Sequence, residues 1–324
     1  MQERKIPMAF KKITVIGAGS VGATTAFTLA LKNQANEICL IDIREDKAMG
    51  EAMDIHQGTP LYKEPVNVHA ATYESASGSD IVVITSGMPR KPGQTRLDLT
   101  QTNVDIIKEI APQIVKSCPD ATYIIVSNPV DILTYVFAQI TGIPENRIIG
   151  SGTLLDTARL RARISEYLNV SQKNVHAYVF GEHGETSFVP WSIAEVSTIN
   201  IAEYNDAIKH NSGMTMNLDY AEADKYMRSS GATIIKNKGC TNYAIAVSVS
   251  AIVDALAGGV NTVATVATVL HGEYGVEDVC LSLPTLLGNS KVQGRILPKL
   301  TDEEMEKLHI SANALKSIIN QITL

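Results

Sequence analysis

The sequence has few of the features that mark secreted or metal-binding proteins. It holds 4 cysteines in 324 residues, and they lie far apart without a Cys-x-x-Cys pair. This spacing argues against a zinc site and against a dense disulfide framework, so we expect no resident metal. A reducing cytoplasm is the predicted location.

The sequence also lacks a long uninterrupted apolar run and an excess of positive charge. Its most apolar region, residues 244–270, is interrupted by Asp254, Asn261 and two glycines, which predicts a buried helix and strand instead of a membrane span. Lys and Arg number 28 against 34 Asp and Glu, so the formal net charge is −6. We therefore expect neither a membrane nor a nucleic-acid partner.

Apolar side chains are abundant, at 45% of the sequence, and the chain is longer than one core usually serves. From Lys12 to about Asn128, short β-branched runs alternate with longer helical stretches, a pattern typical of βαβ units on a parallel sheet. The run at residues 81–84 shows no polar alternation, as expected when helices cover both faces of a sheet. We predict an α/β protein whose residues 1–150 form a doubly wound parallel sheet.

The second half is more mixed in pattern. It holds a helical stretch near residues 155–167, a strand-like run at 174–180 and a long helical pattern through Ile234 and Val253. A Thr-x-x-Glu capping box at residues 301–304 opens a last helix. For residues 151–324 we predict a mixed α+β domain that binds the substrate.

A glycine motif follows the first predicted strand. Gly17, Gly19 and Gly22 have the spacing that allows a tight turn, close approach to a pyrophosphate and close helix packing. Asp42 ends the second strand twenty residues after Gly22, where a carboxylate accepts hydrogen bonds from the ribose hydroxyls of NAD and repels the phosphate of NADP. Arg44 is either a surface charge or a phosphate partner. The motif predicts a Rossmann site for NAD, with a merely tight turn as the alternative.

Three further elements carry groups suited to reducing a ketone, which takes a hydride at carbon and a proton at oxygen. His183 stands in Gly-Glu-His-Gly-Glu just after an apolar run, where it suits proton transfer near neutral pH. Asp156 and Arg159 share a helix face, and they either serve the imidazole and a substrate carboxylate or form an intrahelical salt bridge. Arg96 ends a Gly/Pro-rich loop that either closes over the substrate or is solvated.

Together these motifs resemble the lactate/malate dehydrogenase family of NAD-dependent 2-hydroxy acid dehydrogenases, from Lys12 to the last helix. The resemblance implies that His183 is the catalytic acid/base, Asp156 its orienting partner and Arg159 the carboxylate clamp. It further implies that Arg96 binds the substrate and polarises its carbonyl, and that Asn128 lies beside the reacting centre and contacts both substrate and cofactor. Thr241 would line the substrate pocket, and Ile245 would line the nicotinamide face.

The identity of the acid stays open at this point. Arg90 occupies the family's substrate-selecting position and would pair with the distal carboxylate of oxaloacetate, which favours malate. The motifs around Asp156, His183 and Thr241 resemble the lactate branch, and whole-chain resemblance favours pyruvate and lactate. Malate dehydrogenase activity or dual specificity is the alternative. A remote alternative is a regulator that binds a dinucleotide without catalysis.

The family resemblance also concerns regulation and assembly. Arg161 and His176 match the basic pair that binds fructose 1,6-bisphosphate across a subunit interface in bacterial relatives, with plain surface charge as the alternative. The family generally forms dimers or tetramers. We therefore expect a homo-oligomer and a sugar-bisphosphate effector, besides the 2-oxo or 2-hydroxy acid substrate. We expect the protein to act in glycolysis and fermentation.

Overall fold

The computed structural model describes residues 10–89, 95–212 and 218–324, apart from the side chains of residues 96 and 209–212. The first half contains β1 (Phe10–Ile16), α1 (Ser20–Leu31), β2 (Ala35–Ile41), α2 (Glu45–Gly58), β3 (Asn67–Ala70), β4 (Ile81–Ile84), α3 (Arg96–Ser117), β5 (Thr122–Ile125), α4 (Val130–Thr141) and β6 (Ile148–Gly150). The second half contains α5 (Leu154–Leu168), β7 (Val175–His176), β8 (Glu195–Val196), β9 (Ile199–Asn200), α6 (Tyr204–Ser212), α7 (Tyr220–Lys238), α8 (Tyr243–Ala257), β10 (Thr262–Glu273), β11 (Val276–Gly288), β12 (Lys291–Arg295) and α9 (Asp302–Ile319).

Within the described residues, one sheet of nine strands runs through both halves of the chain. Its order is β12-β11-β10-β6-β5-β4-β1-β2-β3. The six strands of the first half are parallel to one another and follow the doubly wound order 3-2-1-4-5-6. The predicted α/β class with a doubly wound parallel sheet is confirmed.

Alternate residues of the central strands enter different apolar cores on the two faces of this sheet. Ile84 and Tyr123 belong to one core, which α3, α4 and α9 cover. Val83 and Ile124 belong to the other core, which α1, α2 and α8 cover. Because both faces are buried, the strands need no polar alternation, which is why they read as continuous apolar runs.

The second half adds antiparallel strands to this sheet and a small lobe beside it. Strand β10 joins β6 through a single antiparallel residue pair, Ala267 with Gly150, and continues into the β10–β11 hairpin. A separate apolar core lies between α5, α7 and the small sheet of β7, β8 and β9. The mixed α+β character predicted for this half is confirmed.

Two local predictions in the second half were wrong. The long helical pattern through Ile234 and Val253 is two helices, because α7 ends at Lys238 and Gly239 adopts a left-handed φ of 87°. The strand-like run at residues 174–180 forms a strand only at Val175–His176. The predicted capping box at Thr301 and Glu304 is present at the start of α9.

Candidate active site

The glycine loop lies at the carboxyl end of β1, between β1 and β4, where the chain switches from one side of the sheet to the other. Gly17 has a φ of 100°, a conformation that L-residues with side chains rarely adopt. A Cβ on Gly22 would lie 1.7 Å from the Gly17 carbonyl oxygen, so only glycine lets the helix start so close to the turn. Within the described residues, no atom lies within 4 Å of the corresponding Cβ position on Gly19. Both close packing and open space therefore occur in this loop.

Asp42 lies directly beside the glycine loop. Its Oδ2 accepts a hydrogen bond of 2.7 Å from the Ala18 N–H, and its Oδ1 accepts one of 2.9 Å from the Arg44 N–H. The carboxylate is half-buried at the end of β2. It is therefore fixed by main-chain donors while it remains reachable by the hydroxyls of a ribose.

A cavity of about 770 Å³ extends from the glycine loop into the second half of the chain. Its lining includes Gly19 and Gly22 at one end, and residues from α5, α7 and the turn around His183 at the other. Eight residues predicted for the site line this cavity, and seven of them are Gly19, Gly22, Asn128, Asp156, Arg159, His183 and Thr241. The eighth is Ile245.

His183 and Asp156 form the chemical centre of the cavity. The Nδ1 of His183 lies 2.5 Å from the Oδ2 of Asp156. The Asp156 side chain is buried in the first turn of α5, whereas the His183 side chain is 26% exposed. The contact predicted between these two residues is present, and it leaves Nε2 of the imidazole available for a proton exchange.

The charges around this pair favour a protonated imidazole beside an ionised carboxylate. The negative charge of Asp156 and its hydrogen bond outweigh burial and raise the pKa of His183 to about 8. Burial alone would raise the pKa of Asp156, but the charge and hydrogen bond of His183, together with Arg159, hold it below its usual range. The geometry therefore suits a histidine that stores a proton near neutral pH.

Arg159 stands one helical turn from Asp156 and supplies a fixed cation to the cavity. Its Nη1 lies 3.0 Å from the Oδ1 of Asp156, and its side chain is 12% exposed. Its buried Nε has no hydrogen-bond partner among the residues that the structure describes. The intrahelical salt bridge foreseen as an alternative is present, and the guanidinium keeps one donor, Nε, unpaired among the described residues.

Asn128 enters the cavity from the turn between β5 and α4. The side chain of Asn103 fixes this turn, because its Nδ2 donates to the Asn128 carbonyl at 2.7 Å and its Oδ1 accepts from the Met88 N–H at 2.7 Å. Sequence reasoning missed Asn103, which lies in α3 without a motif around it. Its role is to tie the loop after β4 to the loop after β5.

The predicted loop arginines cannot be placed in this geometry. Arg90 lies outside the described residues, and so does the side chain of Arg96, whose backbone begins α3. Their roles remain predictions from the sequence.

The predicted effector pair lies in the small lobe. Arg161, on α5, donates from Nε to the Ala177 carbonyl at 2.9 Å, and its guanidinium stacks on the Tyr178 ring. His176 is exposed on β7. Within the described part of the chain, neither residue lines the large cavity.

Two other charged residues near His183 were not predicted. The Oδ2 of Asp131, buried in the first turn of α4, accepts the His183 main-chain N–H at 2.7 Å. Arg228, on α7, lines the cavity and donates from Nη1 to the Ser187 carbonyl at 2.9 Å. Both interactions involve main-chain atoms, so no side-chain pattern in the sequence could have indicated them.

A group of three side chains with metal-ligand chemistry lies away from the cavity. Glu37, Cys39 and His69 come together on β2 and β3. Glu37 already binds His69 at 2.9 Å and the ammonium of Lys12 at 3.2 Å. An ammonium on the carboxylate opposes a second cation there, and burial raises the pKa of the Cys39 thiol to about 12. We therefore interpret the cluster as polar side chains at the edge of the sheet that bind one another and Lys12.

The residues around the glycine loop fit a dinucleotide. The space over Gly19 and the free N–H groups at the start of α1 suit a pyrophosphate, and the fixed carboxylate of Asp42 suits a ribose. The cavity continues from there to His183, as a molecule with a nucleotide at one end and a reactive ring at the other requires.

None of the helices in the described part of the chain is both long and apolar enough to cross a bilayer.

Models of known protein families match both halves of the chain. The family model described as lactate/malate dehydrogenase, NAD binding domain, matches residues 11–150. The model described as lactate/malate dehydrogenase, alpha/beta C-terminal domain, matches residues 153–323. The two matches together cover nearly all of the sequence.

Individual relatives and solved structures are similar over the same length. An L-lactate dehydrogenase of Thermoanaerobacterium saccharolyticum is 43% identical, over 97% of this chain and 99% of that protein. One from Acetivibrio thermocellus is also 43% identical, over 97% and 98%. The crystal structure of the minor L-lactate dehydrogenase from Enterococcus mundtii has a TM-score of 0.91 at 35% identity and covers 97% of this chain and 99% of that one.

Proposed function

The chain belongs to the lactate/malate dehydrogenase family, and on that premise we propose that it is an NAD-dependent L-lactate dehydrogenase. The reaction is the interconversion of pyruvate and L-lactate. The observation that carries the proposal is the contact of His183 with Asp156 in the wall of the large cavity, beside the Arg159 guanidinium. A proton donor and a carboxylate clamp are the two groups that reduction of a 2-oxo acid requires of the protein.

We assign residues 1–150 as the NAD-binding domain and residues 151–324 as the catalytic and substrate domain. Gly17, Gly19 and Gly22 would hold the pyrophosphate, Asp42 the adenosine ribose and Ile245 one face of the nicotinamide. When it is bound, the reduced cofactor supplies the hydride that reduces carbon 2 of the substrate.

The chain's own residues perform the remaining steps. Arg159 binds the substrate carboxylate through parallel hydrogen bonds, which orients the ketone. Protonated His183 donates its Nε2 proton to the carbonyl oxygen, and the anionic Asp156 stabilises the imidazolium before transfer. Arg96, from the start of α3, polarises the carbonyl, and Asn128 lies beside the reacting carbon. Thr241 completes the pocket wall.

A second candidate function follows from one residue. Arg90 offers a positive charge at the family's selecting position, which favours the second carboxylate of oxaloacetate. Against pyruvate the same cation lacks a partner, a loss worth roughly 3–5 kcal/mol if the group is fully desolvated. Malate dehydrogenase activity or dual specificity is therefore the alternative to lactate.

A side-by-side assay of NADH oxidation with pyruvate and with oxaloacetate tests the assignment. We expect efficient reduction of pyruvate, and Arg90→Gln should move the ratio of the two kcat/KM values further toward pyruvate. Oxaloacetate turned over a hundredfold more efficiently than pyruvate would make the chain a malate dehydrogenase. An unchanged ratio in the variant would remove Arg90 from the substrate contact.

The same assay with fructose 1,6-bisphosphate tests the effector proposal. Arg161 and His176 lie on neighbouring elements of the small lobe, where a basic pair facing a partner's pair would bind phosphate groups. We expect the effector to lower KM for pyruvate, and no response at any effector concentration would reject the site.

We also propose a homo-oligomer, a dimer or a tetramer, in the cytoplasm. Large apolar side chains stay exposed on the packed helices α1, α2 and α8, among them Phe27, Met49, Met53, Tyr243 and Val247. Apolar side chains grouped in this way mark interaction surfaces. Light scattering coupled to size-exclusion chromatography would reject the proposal if it found a monomer at assay concentration.

A further inference from the structure

A chain of side-chain hydrogen bonds joins the end of α7 to the first turn of α1. The Lys238 ammonium donates to the Asn242 Oδ1 at 2.5 Å, and the Asn242 Nδ2 donates to the Thr24 Oγ1 at 2.8 Å. The Thr24 hydroxyl in turn donates to the Ser20 carbonyl at 2.6 Å. An ammonium can only donate, so the amide oxygen of Asn242 faces Lys238 and its NH2 group faces Thr24. The bonds therefore all run in one direction, and each polarises the next.

Asn242 makes these bonds in place of the one that its position favours. It is the N-cap residue of α8, where an asparagine side chain usually accepts an N–H of its own helix. Among the described residues, its side chain makes no such bond. It reaches instead to Thr24, which is 218 residues away in the sequence. The side chain therefore serves a contact between segments and not the start of its own helix.

The connection that Asn242 fixes forms part of the cavity wall. Residues 239–242 lie between α7 and α8, outside any helix or strand, and Cys240 and Thr241 line the cavity. The Cys240 thiol also donates to the Asn242 Oδ1, at 3.9 Å. At the other end of the bonded chain, Ser20 lines the cavity beside the glycine loop. The chain thus runs from the substrate wall to the nucleotide end.

Other side-chain contacts between these parts of the molecule lie farther from the cavity. Just after the end of α1, Lys32 donates to the Ser250 hydroxyl at 2.8 Å and to the Asp254 carboxylate at 2.7 Å, both in the second half of α8. Those bonds fix the body of α8. The bond from Asn242 to Thr24 holds the connection before α8, where the wall is.

We propose that Asn242 is a positioning residue that couples cofactor binding to the substrate pocket. By bonding Thr24, it ties the wall at Thr241 to the helix turn that receives the pyrophosphate. The proposal rests on the proposed function, in which Thr241 lines the substrate pocket and the start of α1 binds NAD. Because coupling between two binding sites is reciprocal, NADH should strengthen substrate binding by the same factor as substrate strengthens NADH binding.

Variants of Asn242 and Thr24 test the bond from both sides. Asn242→Ala removes the amide, and Thr24→Val removes the hydroxyl that accepts from it. Thr28→Val is the matched control, because it makes the same change one turn further along α1, where the hydroxyl donates to the Thr24 carbonyl at 2.7 Å. One uncharged hydrogen bond corresponds to a change of about two- to tenfold in an equilibrium constant.

The first readout is NADH affinity, measured by fluorescence titration with and without oxamate, an isostere of pyruvate whose amide group NADH does not reduce. We expect oxamate to tighten NADH binding in the wild type and in Thr28→Val. In Asn242→Ala and in Thr24→Val the tightening should be smaller by about two- to tenfold. The combined variant should lose no more coupling than Asn242→Ala alone, because both substitutions remove the same bond.

The second readout is pyruvate kinetics. In Asn242→Ala, KM should rise about two- to tenfold while kcat stays within about twofold of the wild-type value, because the proton donor and the carboxylate clamp are unchanged. This split separates a displaced wall from general damage to the fold, which would lower kcat as well. If Asn242→Ala does not fold, the same measurements on Thr24→Val decide.

Four outcomes would overturn the proposal: no effect of oxamate on a wild type that reduces pyruvate, wild-type coupling in Asn242→Ala, losses that multiply in the combined variant, or a loss in Thr28→Val as large as that in Thr24→Val. A wild-type protein that reduces neither pyruvate nor oxaloacetate would defeat the proposed function instead. Thermal unfolding would then still test the bond, because adding Thr24→Val to Asn242→Ala should lower the melting temperature no further than adding Thr28→Val does.

Discussion

The two ends of the large cavity are built from different parts of the polypeptide. At the nucleotide end, the main chain forms most of the site. It supplies the turn at Gly17, the tight contact at Gly22 and the N–H groups that fix Asp42. At the catalytic end, side chains converge from separate elements, with Asp131 on α4, Asp156 and Arg159 on α5, and His183 on the turn after β7.

This difference explains how each end fails when it is changed. A main-chain site depends on the space between backbones, so added atoms disrupt it. A side-chain site depends on which groups are present and on their charge, so exchanged functional groups disrupt it. The two ends should therefore be separable by mutation, with cofactor binding lost at one and proton transfer at the other.

The sharpest separation is expected from His183→Asn. The variant keeps a polar side chain of similar position but cannot donate a proton at Nε2, so kcat for pyruvate should fall by roughly 10²–10⁴-fold. NADH affinity, measured by fluorescence titration, should stay at the wild-type value. Near-normal turnover would assign the acid to another residue.

Arg159→Lys should affect substrate binding at the same end. Lysine keeps the positive charge but loses the planar fork and its hold on Asp156 at 3.0 Å. We expect kcat/KM for pyruvate to fall about 10- to 100-fold, largely through KM, because one charge-assisted hydrogen bond is lost. Steady-state kinetics at saturating NADH would measure this, and an unchanged KM would place the substrate carboxylate elsewhere.

A pair of glycine variants tests the nucleotide end. Gly22→Ala places a methyl group against the Gly17 carbonyl, so it should lower the free energy of unfolding by about 1–3 kcal/mol and weaken NADH binding. Gly19→Ala meets open space among the described residues, so stability should stay unchanged while NADH affinity falls about tenfold. Thermal unfolding and fluorescence titration measure the two effects. Wild-type NADH affinity in Gly19→Ala would show that the pyrophosphate does not pass over this residue.

The smallest effect expected between pH 7 and pH 8 is that of proton loss at the catalytic end. Because the Asp156 charge raises the pKa of His183 to about 8, the imidazole is protonated below this pH and loses its proton above it. The kcat/KM for pyruvate should be flat below pH 8 and fall about tenfold per pH unit above it, whereas lactate oxidation should rise through the same range. NADH binding should show no matching step. A pyruvate profile that rises through pH 8 would contradict the assigned proton donor.

The nucleotide end could be predicted from the sequence because its determinants are local. The glycine spacing, the apolar strand before it and the acid twenty residues later all occur within one βαβ unit. The structure has the predicted neighbours, with Asp42 against the Ala18 N–H. The contact of His183 with Asp156 spans 27 residues, and it was predicted from the family resemblance of both motifs.

Other features left no usable pattern in the sequence. Asp131 and Asn103 act on main-chain atoms of other segments, and such bonds place no demand on the residue type at the receiving position. The break between α7 and α8 did have a local signal, because Gly239 follows Lys236 and Lys238 in the manner of a helix end, and the continuous helical pattern on both sides obscured it. The extension of the sheet by β10 rests on one residue pair.

That single pair at the meeting of β6 and β10 has a consequence for building hybrids of this enzyme. A Cβ on Gly150 would come within 2.5 Å of the Thr134 hydroxyl and 3.0 Å of the Ala267 Cβ. A hybrid that joins the cofactor half of one relative to the substrate half of another would therefore combine β6 and β10 from different proteins, at a contact that has no room for a larger residue. Gly150, Thr134 and Ala267 would have to be inherited as a set.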